Sequence, residues 1–304
     1  MIMDDRHQPV LLRETIDAIA PQPDGIYADA TAGYGGHSEA ILEASAPSGR
    51  LLAMDRDAEA VEAVRKRLAA YGDRVTVLQG EFADLTRAAE RVGAEFFDGV
   101  IADLGLSSPQ LEDAQRGFSF AEPGPLDMRM DRSQGETAAD LIARLDEAEL
   151  AGILYRFAQE RHSRAIARSI KRALQQGRLT HTTDLRRAVV RVLGPHRRGR
   201  IDPATRTFQA LRIAVNRELD QLQALIDLLP ELLADGGVAV IISFHSLEDR
   251  MVKQAFLHDR RLALLQRKPL TACEREKREN PRARSAKLRA ARRVARADAT
   301  EARL

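Results

Sequence analysis

The chain predicts an α/β fold, a mostly parallel sheet of seven strands interrupted by an inserted helical domain, and three observations carry that prediction. Short apolar runs alternate with amphipathic helical stretches on both sides of residues 111–200, where the alternation stops. The loop Asp29-Ala30-Thr31-Ala32-Gly33-Tyr34-Gly35-Gly36-His37-Ser38 joins a first strand to a helix. Asp29, Asp55 and Asp103 each fall at the carboxyl end of a predicted strand, the edge at which open α/β sheets bind ligands.

Residues 10–19 have helical apolar spacing and end at Pro21-Gln22-Pro23-Asp24-Gly25, so a leading helix precedes the strand at 26–30. Gly33, Gly35 and Gly36 permit a tight strand-to-helix turn and let a ligand approach bare backbone, with the N–H groups opening the next helix as a cradle. A dinucleotide fingerprint needs glycine where Ser38 stands, and Asp29 would repel a pyrophosphate, so the loop favours a cationic or zwitterionic ligand. The competing reading is an ordinary Gly-rich turn. A helix over 38–46, a break at Pro47-Ser48-Gly49 and a strand over 50–54 complete a β-α-β unit. Asp55 follows about twenty residues after the glycines, where an acid bonds the hydroxyls of a ribose, which points to a nucleoside-bearing cofactor.

A helix is expected over 58–70, a strand over 74–78, a helix over 85–92 and a strand over 97–102. Phe82, just past the third strand, is either a wall for an adenine or a core residue. The fourth strand delivers Asp103-Leu104-Gly105-Leu106-Ser107-Ser108-Pro109-Gln110. An irregular segment follows, then helices over 137–145, 147–157, 163–176 and 183–193 with Arg-rich outer faces, closed by the basic loop 194–200. One long helical stretch, 207–233, is expected to break at Pro230. Strands at 238–244, 262–266 and 288–294 finish the sheet.

The formal charge of +2 conceals an asymmetry, because residues 260–304 carry fifteen Arg or Lys against five Asp or Glu. Of 47 basic residues only six are Lys, and Arg suits forked phosphate contacts and base stacking. A solvated charge run is the alternative. The single Cys273 excludes an internal disulfide, and seven scattered histidines lacking metal-ligand spacing predict no metal site. No apolar run reaches the roughly 20 residues of a membrane helix, and the start lacks a signal-peptide core, so a soluble cytoplasmic protein is expected.

Seven motifs then occur in order: Asp-Ala-Thr-x-Gly-x-Gly-Gly-His-Ser at 29–38, Asp-Leu-Gly-Leu-Ser-Ser-Pro-Gln-Leu at 103–111, Arg-Gly-Phe-Ser-Phe at 116–120, Gly-Pro-Leu-Asp-Met-Arg-Met at 124–130, Pro-Ala-Thr-Arg-Thr-Phe-Gln-Ala-Leu-Arg-Ile at 203–213, Ser-Phe-His-Ser-Leu-Glu-Asp-Arg at 243–250 and Asn-Pro-Arg-Ala-Arg-Ser-Ala-Lys-Leu-Arg at 280–289. Together they resemble the bacterial 16S ribosomal RNA (cytosine-N4)-methyltransferase family over nearly the whole chain. It departs from that pattern at Glu81, Asp202 and Ala158-Gln159-Glu160.

The resemblance implies a Rossmann-like class I methyltransferase that takes S-adenosyl-L-methionine and methylates a decoding-centre cytidine of 16S rRNA within the small (30S) ribosomal subunit. It implies a discontinuous methyltransferase domain, 1–112 and 201–304, with residues 113–200 inserted for substrate recognition. Cofactor positions implied are Gly35, Gly36 and His37 for the methionine part, Asp55 for the ribose and Phe82 for the adenine, with Asp103 and Gln110 completing a pocket opened by Asp29 and Gly33. His37 could act through its backbone alone. Asp103 is the candidate catalytic acceptor for the amine proton or, alternatively, a cofactor ligand only. Ser107, Ser108 and His245 are further candidates for holding the base. Arg116, Arg129, Arg206, Arg250, Arg282, Arg284 and Lys287 are candidate RNA contacts, each with a salt-bridge role as the alternative. Two other readings are a DNA amino-methyltransferase, opposed by Leu-Gly-Leu-Ser-Ser after Asp103, and a non-catalytic RNA-binding assembly factor, opposed by the intact cofactor loop. Cys273 lacks a preceding Pro, which argues against C5 chemistry. The choice between monomer and homodimer is open.

Overall fold

The computed structural model describes residues 9–195 and 201–295. Most of the expected basic loop 194–200 and the last residues of the basic tail fall outside them. The chain divides into two compact units, residues 1–105 with 220–304, and residues 106–219.

The first unit is built on one sheet: β1 (Ile26–Asp29), β2 (Arg50–Asp55), β3 (Val75–Gln79), β4 (Phe97–Asp103), β5 (Leu233–Ser243), β6 (Leu262–Leu264) and β7 (Lys287–Arg293). Their spatial order is β3-β2-β1-β4-β5-β7-β6. The first five run parallel, and β7 is antiparallel to both of its neighbours. The central strands are almost continuously apolar because both faces are covered. On one face Ile41, Leu42, Val64 and Leu68 pack against Leu51, Ala53 and Ile101. On the other, Leu85, Leu222, Leu225, Leu229, Val252 and Phe256 cover Leu52, Val100 and Ile241.

The covering helices are α1 (Leu12–Ile19), α2 (Gly36–Ala44), α3 (Ala58–Arg67) and α4 (Leu85–Arg91), and farther along the chain the helices Glu218–Leu232 and Ser246–His258, while the short helix Glu274–Glu279 buries none of its residues. The strand at 288–294 is present, and it absorbs part of the basic run into the sheet. Arg289 and Arg293 are buried there, Arg289 Nε donating to Asp249 Oδ1 at 2.8 Å and Arg293 to the Arg261 carbonyl at 3.3 Å.

The second unit holds α5 (Ser108–Glu112), α6 (Ala138–Arg144), α7 (Glu147–Ala158), α8 (Ser163–Gln175), α9 (Thr182–Leu193) and α10 (Thr205–Asn216). One apolar cluster unites them, from Phe118, Leu126 and Met128 through Leu154, Ile166 and Ile170 to Phe208 and Leu211. Because Ala204, Phe208, Ala210 and Leu211 belong to that cluster, α10 is part of the helical unit, which extends to Leu219 and not to residue 200. The irregular segment before α6 is fixed by close backbone approach. A Cβ on Gly124 would stand 1.9 Å from the Ala114 carbonyl oxygen, and one on Gly117, whose φ is +74°, 2.2 Å from that of Pro125.

The stretch expected as one helix over 207–233 is two, and the break is not at Pro230. Arg217 takes φ 50° and closes α10, while α11 (Glu218–Leu232) runs through Pro230. Proline there forfeits one bond, from its own position to the Ile226 carbonyl, and the helix ends two residues later at Leu232.

Candidate active site

At the carboxyl edge of the first unit's sheet the three strand-end acids do different work. Asp29, 1% exposed, ends β1 and holds the glycine loop: Oδ2 accepts from Ser38 Oγ at 2.7 Å and Oδ1 from the Thr31 amide at 3.1 Å. Burial pushes its carboxyl up to about 6 against those two bonds. Asp55 ends β2, and its oxygens accept from the Gly33 amide at 2.8 Å and the Asp57 amide at 2.9 Å. Burial raises it too, to about 6. Each oxygen keeps a lone pair, so the carboxylate still fits a pair of ribose hydroxyls.

The loop between them is shaped by Gly33 (φ 53°) and by Gly35 (φ 83°), the latter capping α2. Gly36 lies against Pro9, whose Cγ would be 2.3 Å from an added Cβ. The α2 amides therefore face the edge bare, at the positive end of a helix. The buried ring of His37 is directed inward, with Nε2 3.1 Å from the Val10 carbonyl oxygen and Nδ1 3.9 Å from Asp103 Oδ2. Phe82 is half-buried in the turn Phe82–Asp84 after β3 and packs on the sheet's core. Its neighbour Glu81 accepts from Arg56 at 3.3 Å and Gln221 at 2.6 Å.

Asp103, at the end of β4, is held through its backbone, its amide donating to Thr31 Oγ1 at 2.6 Å. Its Oδ1 is buried without a hydrogen-bond partner. Burial pushes the carboxyl up to about 7; the Arg282 guanidinium opposes that shift, and Asp29 and Glu248 add to it. Arg282 also lies over the Phe244 ring, 6.0 Å from its centroid, and that ring is 3.5 Å from where a Cβ on Gly105 would be. Glu248 fixes the end of β5: Oε2 accepts from the Phe244 amide at 2.8 Å and the His245 amide at 3.2 Å. His245 Nε2 is 3.0 Å from Glu248 Oε1, so the imidazole is engaged at its own helix N-terminus.

Thr31, Ser38 and Glu248 were not among the predicted site residues, yet they position those that were. The hydroxyls sit inside the loop motif itself, and His245-x-x-Glu248 has the spacing of a helix-capping box, a legible signal.

The predicted RNA contacts divide. Arg116 is 2% exposed, donates to the Met130 carbonyl at 2.8 Å and the Arg129 carbonyl at 3.3 Å, and lies over the Phe118 ring, so its guanidinium is engaged inside the protein. Arg129 forks onto Asp127 at 2.7 and 3.0 Å. Lys287 pairs with Asp249 at 2.9 Å. Arg206, Arg250 and Arg284 are exposed, and Arg282 is half-buried beside Asp103. Gln110 lies in the second unit, buried in α5, where its Oε1 accepts from the Ser107 amide at 3.0 Å.

A parallel sheet with a lone antiparallel β7 between β5 and β6, glycines after β1 and acids ending β1, β2 and β4 is the architecture of class I S-adenosylmethionine-dependent methyltransferases. The residues present fit that cofactor: bare amides over the glycine loop, and Asp55 with a free lone pair on each oxygen for hydroxyls. Within that class, residues 4–294 match the model of the MraW methylase family, and the chain belongs to that family. It is 55% identical to Ribosomal RNA small subunit methyltransferase H of Sorangium cellulosum, over 97% of this chain and 93% of that one. It is 52% identical to the protein of the same name from a Synechococcus strain, over 95% and 98%.

Proposed function

We propose that the enzyme methylates the exocyclic N4 of a cytidine in the decoding centre of small-subunit ribosomal RNA, acting in the cytoplasm on the assembled subunit. The names of its relatives support the RNA class, and the unpaired Asp103 Oδ1 supports the amine chemistry. S-adenosylmethionine supplies an electrophilic methyl on a sulfonium centre and leaves as a neutral thioether. In this reading the Gly33–His37 backbone, itself held in place by Asp29, takes its amino-acid end, Asp55 its ribose and Phe82 its adenine.

The chain's own contribution to the chemistry is at the amine. The lone pair of cytosine N4 is conjugated into the ring, so it attacks poorly unless the N–H bonds are turned. Asp103 Oδ1 accepts one amine hydrogen, which orients the lone pair, and takes the proton once the new N–C bond makes that nitrogen cationic. A carboxyl titrating near 7 suits that exchange at neutral pH. A stacked base cannot reach the sheet edge, so the target is single-stranded or flipped out of its helix. The helical unit, residues 106–219, serves substrate recognition.

Transfer of labelled methyl to purified small subunits, naked 16S RNA and DNA, with the modified nucleoside identified by mass spectrometry, tests this. N4-methylcytidine formed in small subunits is expected. Label in C5-methylcytidine or in DNA overturns the assignment.

A further inference from the structure

With Arg116 and Arg129 engaged by internal partners, other cations of the helical unit face solvent. Between Tyr155 and Arg172 the chain holds six Arg or Lys and a single acid, Glu160, which is buried. Arg164, Arg168 and Arg172 recur every four residues and are exposed, so they form one ridge along α8, and exposed Arg161 lies in the turn that leads into it. The opposite face of α8, Ile166, Ala167, Ile170 and Ala173, is in the core, which fixes the ridge outward.

Among the described residues only Arg168 has a carboxylate, Glu147 at 3.1 Å, whereas Arg161, Arg164 and Arg172 have none. Lys171, in the same stretch, is spent on the carbonyls of Ile142, Ala143 and Leu145. The Arg168–Glu147 pair sets the middle of α8 beside the start of α7, so the end of α7 and the start of α8 form one tip. There Tyr155 is 64% exposed, beside exposed Arg156.

We infer that the α8 ridge Arg164, Arg168 and Arg172, with Arg161 in the turn before it, binds the sugar-phosphate backbone of an RNA strand and that Tyr155 stacks on one of its bases. The proposal rests on the ribosomal RNA reading and adds where that RNA is held. Successive in-helix arginines rise about 6 Å along the axis, a step that tracks phosphates of one strand. Forked guanidiniums grip phosphate, and an exposed aromatic gives the sequence-tolerant stacking that single strands use. An acidic protein surface would match the arginines but leave Tyr155 without a role.

The two parts separate by salt dependence. With the full-length protein and naked 16S RNA as probe, R164Q/R172Q weakens binding about tenfold at low salt and reduces the slope of log affinity against log salt by about 1.4. Tyr155→Ala weakens binding by a similar factor and leaves the slope unchanged. Unchanged cofactor affinity of both variants in the absence of RNA shows that they are folded. A wild-type slope and affinity for R164Q/R172Q, with methyl transfer intact, overturns the ridge and leaves the function standing. The expected slope loss without any methyl transfer by the wild type overturns the function and leaves the ridge.

Discussion

At Asp103 burial, opposed by Arg282, sets a carboxyl near 7, so the base proposed for the amine proton is half ionised at neutral pH. Only the carboxylate accepts the amine proton. The single-turnover rate is therefore expected to rise with pH and level off above about 7. Asp103→Asn should lose about 10²-fold or more in that rate and abolish the limb. A variant that keeps the limb would show that another group titrates. His37 is a different case, because its ring bonds the Val10 carbonyl. His37→Ala is expected to cost about 1–3 kcal/mol of stability by leaving that carbonyl unsatisfied, while cofactor affinity measured by calorimetry changes little. At this scale the identities Asp29, Asp55 and Asp103 were legible, because strand ends are set by hydrophobic runs. Their separate roles were not, since the partners Ser38, Gly33 and Thr31 are assigned by the geometry of the turn.

Among elements, the glycine-pinned segment before α6 shows how a basic motif becomes structural. Arg116 is drawn inward because the carbonyls of Arg129 and Met130 need a donor, and Phe118 covers its guanidinium. Arg116→Met should lower the urea midpoint by an amount corresponding to about 1–3 kcal/mol, with no change in the salt slope of RNA binding. A reduced slope with wild-type stability would restore it as a phosphate contact. Helix periodicity placed α6 to α9 within a residue or two, since their core faces are unbroken. It failed at Arg217, whose left-handed conformation leaves no mark in composition, and at Pro230, where position within the helix outweighs residue type.

In the whole molecule the three edge acids couple stability to pH. Asp29, Asp55 and Asp103 titrate near 6, 6 and 7, all above an ordinary aspartate at 3.8. Between those values the native chain holds more protons than the unfolded one, so these groups make stability fall as pH rises from about 4 to 7. The melting temperature of the cofactor-free protein should accordingly decline from pH 5 to pH 8, and substituting Asn at position 103 should flatten part of that decline. A cationic ligand prefers the ionised acids. Its binding at pH 6.5 is therefore expected to release protons, seen as a dependence of calorimetric heat on the buffer's ionisation enthalpy. Equal heats in all buffers would mean that the acids do not face the cation.

The sequence by itself determined the alternating α/β plan, the strand ends that carry acids, the glycine loop and the family, because each is written in local periodicity or contiguous motif. Tertiary structure alone decided which arginines are free. Whether a guanidinium meets a carbonyl, a carboxylate or water depends on what folding brings beside it, and Arg116 and Arg164 look alike until α8 has turned one face to the core and the other to solvent.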